Sequence, residues 1–342
     1  MTLKSFLIVF FGCFLTLHAQ EKKTLSMTTI LSSKNNYRAI EVLNDSTLWF
    51  ANSGGQVGNV TLSGKVNYYT IKDSLNNHFR AISSSSKHLY ALTIASPTRL
   101  YQFKKYNYSN PAAIVYTENH PKSFYDAMVF FDDKNGIAMG DPTDACLSII
   151  KTNDSGNTWT KIPCADVPLS ADGEAAFAAS NTNIAHHGNK AWIATGGLKS
   201  RIFYSANKGK SWQVFNTSFI QGKATTGIYS VDFYDAKNGV ICGGDYTDKS
   251  ANQNNKAITK NGGKTWTIVA NGKLPGYISC VQYVPQTKGK EIVAVSTEGI
   301  YISKDGGLKW KQISKQGFFT IRFANKHRAF LGGQGKIAVL NL

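Results

Sequence analysis

An all-β fold, a seven-bladed β-propeller, is predicted by three observations. The composition favours strands, a tryptophan-ended turn recurs four times, and an apolar strand–turn–strand unit recurs seven times. The chain has 342 residues, of which 42% are hydrophobic, 12% aromatic and only 17% charged. That is too apolar for a disordered chain, and aromatics with abundant Thr, Val and Ile suit pleated sheets. Thirty glycines without a three-residue period exclude a collagen-like fibre.

The turns are 152–159, 205–212, 259–266 and 303–310. Each starts with Ser or Thr, has Asx two residues on, Gly two later and Trp three after that. Their structural residues are Asp154 and Trp159, Asn207 and Trp212, Asn261 and Trp266, and Asp305 and Trp310. An Asx side chain followed by Gly makes a tight hairpin turn, which the Trp closes against the sheet. The tryptophans are 53, 54 and 44 residues apart, a period for stacked β-units.

Upstream of each turn lies an apolar strand, a tight turn and a second strand ending in small residues. Residues 130–141 match 233–245, each with an Asn-Gly hairpin. Weaker copies at 41–55, 82–93, 178–197, 281–299 and 322–333 bring the units to seven. Only one strand, 336–340, follows the last copy, so residues 25–31 are expected to supply the missing outer strand and close the ring. The 323 residues from position 20 give about 46 per blade, within the propeller range.

Residues 1–19 read as a secretory signal peptide, with Lys4, an apolar run at 6–17 and Ala19 before the cleavage point. Cleavage before Cys13, as in a lipoprotein, would cut inside that run. Residues 20–342 are then one propeller domain, expected to be exported to the periplasm or outside the cell, and monomeric. No other run is long enough for a membrane span, and no further sorting or carbohydrate-binding domain is expected.

Four cysteines follow the leader. Cys146 and Cys164 flank a turn and pair across strands as a disulfide or remain buried thiols; Cys242 and Cys280 sit in apolar strands and read as core. Neither a CxxC nor a Cys/His cluster is present, so no metal or cofactor is expected. The formal net charge is +17, but Lys34, Lys65, Lys134, Lys208, Lys237 and Lys288 are scattered along turns. That pattern reads as a solvated basic surface, or as a surface for an anionic wall, and not as a nucleic-acid site.

In a blade of strands A to D, the A–B and C–D turns share one face, and the B–C and D–A connections surround the channel mouth. The irregular connections are the expected binding face. At the starts of successive A strands stand Arg38, Arg80, Asp126 and Glu174, expected at equivalent positions around that mouth. The surrounding loops add Asp141, Lys199, Arg201, Gln221, Lys223 and Asp245. Arginines facing carboxylates either neutralise one another or form a site for a carboxylate, sugar or peptide.

The four turns resemble the Asp-box, or BNR repeat, of sialidases and their relatives, with Asn207 and Asn261 in place of Asp. Combined with Gly140-Asp141 and Gly243-Gly244-Asp245, they make the chain similar to seven-bladed proteins grouped with the photosystem II stability/assembly factor. Exported Bacteroidetes-type homologues share stretches such as 126–128, 140–142, 195–197 and 221–223. Such proteins are often labelled oxidoreductases, but no dinucleotide or haem motif is present here. The resemblance implies a non-catalytic binding or assembly scaffold of the cell envelope, its mouth holding an envelope protein or glycan. The alternative is a sialidase-like glycoside hydrolase using carboxylates among Asp126, Glu174, Asp141 and Asp245 with an arginine clamp of Arg38, Arg80 and Arg201.

Overall fold

The computed structural model describes residues 25–71, 77–107 and 112–342; the expected leader lies outside them. Seven antiparallel sheets form the blades of a propeller, one of them extended by two short strands. The innermost strands, in chain order, are Ala39–Asn44, Phe79–Ser84, Tyr125–Phe130, Ile184–His187, Thr226–Phe233, Cys280–Tyr283 and Thr320–Asn325. They open blades 1 to 7. The ring closes as the sequence implies: Ser26–Asn36 pairs with Gln334–Asn341 and becomes the outer strand of blade 7. The closing strand runs five residues past the expected end, through two register shifts, to Asn36 opposite Gln334.

The four tryptophan-ended turns share one hydrogen-bond set. The hydroxyl of Thr152, Ser205, Thr259 or Ser303 accepts the amide of the glycine four residues on, at 2.8–3.0 Å. The Asx Oδ1 accepts the amide four residues beyond it, and the indole Nε1 donates back to the glycine carbonyl. Two successive residues there have positive φ, such as Lys208 at 59° and Gly209 at 78°. The second is glycine in all four copies because that conformation suits a residue without Cβ. Each indole also helps seal a seam between blades. Trp159 packs edge-on against Phe130 of its own blade and Tyr90 of blade 2.

Blade 4 departs from the sequence expectation. Its inner strand starts at Ile184, and residues 162–183 form a long connection after Thr160–Lys161, the outer strand of blade 3. A disulfide between Cys146 and Cys164 anchors the start of this connection. Its later part holds Glu174–Ala175, a two-residue strand paired with Gly196–Gly197, which in turn touches blade 5 at Gly227. A Cβ on Gly196 would lie 2.7 Å from the Gly227 Cα, so the two blades approach this closely only through paired glycines.

A plugged, charged channel mouth

The inner strands of blades 2, 3 and 5 carry a bulge at the same point. Pairing skips between Phe79 and Ala81, between Tyr125 and Ala127, and between Ile228 and Ser230. The skipped residues are Arg80, Asp126 and Tyr229. A bulge leaves one residue out of the ladder and re-aims its side chain. Arg38 stands just before the first ladder pair of blade 1, in the matching place. Three of the four expected mouth residues therefore share one phase of the repeat, Arg80 and Asp126 in bulges and Arg38 at the strand entry.

Glu174 does not join them. Blade 4 begins ten residues later, and Glu174 instead accepts a double hydrogen bond from the guanidinium of Arg201, with Nε at 3.0 Å from both oxygens. Thr195 Oγ1 and the Ala171 amide also donate to it. This ion pair is almost completely buried and fastens the connection to blade 4; the two residues are committed to each other.

The arginines were expected to face carboxylates, and their partners are backbone carbonyls instead. Arg80 Nη1 donates to Ala178 O at 2.6 Å and Arg38 Nη1 to Ala179 O at 2.8 Å. Arg322 of blade 7 donates to the carbonyls of Ser180 and Asn181 at 3.1 and 3.0 Å. Three arginines from three blades thus hold four consecutive carbonyls of residues 178–181. The segment is fixed elsewhere too: Ser180 Oγ donates to Ser279 O, Asn181 Nδ2 to Ile82 O, and Thr182 Oγ1 to Ser230 Oγ. It is a plug across the channel, bonded to the surrounding blades. Uncharged and without a period, it escapes a search for charged motifs; the length of the 162–183 connection is the signal that could have revealed it.

Aromatic rings pack beside the plug. Phe177 stacks on Tyr229 with centroids 3.9 Å apart, Tyr277 meets Tyr229 edge-on, and Arg38 lies 3.6 Å over Phe319. Burial lowers the pKa of Arg38, and burial with the nearby charge of Arg38 brings Arg80 down to about 10. His78 accepts from Arg80 Nε and is held down at about 4, by burial and then by the two arginines.

Asp126 is fully buried and neither of its oxygens has a hydrogen-bond partner. Burial pushes its carboxyl well above the usual range, Asp141 adds repulsion, and Arg80 opposes. Asp141 accepts the plug amide of Ala176 at 2.7 Å, and burial raises it to about 6. The remaining expected residues lie on the rim. Asp245 is bound by the amide and hydroxyl of Thr247, with Lys223 4.0 Å away and largely exposed. Gln221 accepts the Ser200 amide, and Lys199 is half-buried. Among the described residues, four large apolar side chains stand out on the loops of this face: Leu169, Leu198, Tyr246 and Leu274, each 48–64% exposed.

No protein-family model matches the sequence, and no curated protein is significantly similar to it. Solved structures share its fold. YCF48 bound to D1 peptide aligns over 93% of this chain and 94% of its own, with a TM-score of 0.66 and 10% identity. YCF48 from Cyanidioschyzon merolae gives 0.64 at 14% identity, covering 92% and 98%. A catalytically inactive virginiamycin B lyase from Staphylococcus aureus with quinupristin gives 0.60 at 13%, covering 93% and 99%. At such identities the likeness is one of fold.

Proposed function

We propose that this protein is an exported, non-catalytic scaffold of the cell envelope that docks an extended protein segment across its mouth face. One observation carries the reading. Leu169, Leu198, Tyr246 and Leu274 are exposed on the irregular loops around the mouth, with Lys199, Lys223 and Lys249 among them. Apolar groups rimmed by charge are the usual mark of a protein-binding surface. Lys249 pairs with Glu298 and Lys223 lies near Asp245, so it is Lys199, without an ion pair among the described residues, that favours an acidic segment. A peptide-bound propeller of the same fold, YCF48 with D1 peptide, supports a polypeptide occupant. The hydrolase reading gains less support: Glu174 is occupied by Arg201, and Asp126 lies buried beside the plug.

An array of acidic and neutral peptides, paired with a panel of chromogenic glycosides, tests this. Acidic peptides should be retained, and Leu198→Ser with Tyr246→Ser should abolish retention without lowering the melting temperature. Glycoside turnover lost in Asp141→Asn would overturn it.

A further inference from the structure

We propose that the face opposite the mouth, built from the A–B and C–D turns, is a docking surface for an anionic lipid bilayer. Of the lysines that look scattered in sequence, Lys65, Lys134, Lys208, Lys237 and Lys288 lie in these turns, Lys34 instead standing in the closing strand, and the topology collects the turns at one end of the propeller. The C–D turns of blades 4, 5 and 6 carry Lys208 and Lys210, Lys260 and Lys264, and Lys304 and Lys309. Their shared hydrogen bonds set the turns at equal height. Lys260 and Lys304 fill the same position of the turn one blade apart, and so do Lys210 and Lys264. The neighbouring A–B turns add Lys237, Lys288, Lys290 and Lys326, all exposed.

Of the exposed acids of this face, Asp45, Asp132 and Asp133 stand in the A–B turns of blades 1 and 3, away from the lysine-bearing turns of blades 5 and 6. Asp154, Asp305 and Asp235 spend their oxygens on turn amides. Lys208 is paired with Asp132, but among the described residues Lys210, Lys260, Lys264 and Lys304 take part in no ion pair. A two-dimensional array of free ammonium groups matches a two-dimensional array of headgroup charges, each lysine near such a surface adding to the attraction.

Residue choice points the same way. Arginine, which binds one phosphate or carboxylate with fixed geometry, stands here at Arg328 and is used on Asp45 O and Asn341. Lysine supplies point charges that need no fixed partner. Leu308 and Tyr234 also protrude from these turns, 54% and 39% exposed, and Tyr106, 66% exposed, follows the third strand of blade 2. They are amphipathic or apolar groups able to rest at headgroup level.

Flotation of the full protein with phosphatidylcholine vesicles, with or without about a third phosphatidylglycerol, tests the surface. The protein should float only with the anionic vesicles and be released by high salt. Combined Lys260→Glu, Lys264→Glu, Lys304→Glu and Lys309→Glu should cut the bound fraction about tenfold or more, whereas Lys199→Glu with Lys223→Glu on the mouth should not. Lysine acetylation of the unaltered protein should show vesicle protection at Lys210, Lys260, Lys264 and Lys304 and none at Lys199 and Lys223. That footprint decides alone if the multiple variant misfolds. Failure to float, protection of the mouth lysines, or capture by soluble dextran sulfate without vesicle binding would overturn the proposal.

Discussion

Arg80 donates from blade 2 to the carbonyl of Ala178, 98 residues further along the chain. The bond joins a charged group to a main-chain oxygen inside the channel, so both ends depend on it. Arg80→Ala should cost about 1.5–3 kcal/mol, as for a hydrogen bond to a charged group. Amide hydrogen exchange in residues 176–182 should quicken at the same time. Unchanged stability together with lost peptide retention would make Arg80 a ligand group and not a plug anchor.

The Glu174–Arg201 pair gives a second prediction. Arg201→Ala leaves a buried carboxylate without its cation and should destabilise by about 3–5 kcal/mol. Adding Glu174→Gln should recover part of that loss, because the stranded charge is gone. Chemical denaturation of both single variants and the double variant measures the coupling.

Asp126 sets a pH dependence. Its folded pKa lies above the value of an unfolded aspartate, and so does that of Asp141, at about 6. The folded state therefore holds more protons than the unfolded state from about pH 4 to 6 and beyond, and these groups lose stability as pH rises through that window. Asp126→Asn should raise stability at neutral pH and flatten the decline above about pH 4. A melting profile of the variant parallel to that of the parent would defeat the assignment.

The tryptophans of the repeated turns differ in burial. Trp159 and Trp212 are 6% and 8% exposed, while Trp266 and Trp310 are only partly buried. Trp212→Ala should cost about 3–5 kcal/mol and Trp266→Ala less, since less surface returns to water. Denaturant titrations should rank them so, with peptide retention unchanged in both.

Local chemistry decided which parts of this molecule could be read from its sequence. The turn from Thr259 to Trp266 satisfies its own bonds, so its residues are diagnostic wherever they occur. Arg38, Arg80 and Asp126 were legible because they stand at one phase of the repeat, the start of each inner strand, where blades 2 and 3 also carry a bulge. Glu174 mimicked that phase, but a 22-residue connection displaced the blade that it was meant to open. Residues 178–181 act through carbonyls, which every sequence has, and no side-chain pattern reports them. Lys256 was equally silent. It is fully buried, and its ammonium is held by Asn255 and the carbonyls of Lys273 and Pro275, contacts that only the folded chain creates.

The strand that closes the ring has a mechanical consequence. Ser26 faces Asn341 at one end of the ladder, and Asn36 faces Gln334 at the other. Chain leading away from Ser26 and from Asn341 leaves from the same end. Tension between those two points loads the hydrogen bonds of the seam one after another, as in opening a zipper, and never all together in shear. The propeller is thus most easily peeled at its seam, while force applied across any other blade must break a sheet whose strands follow one another along the chain.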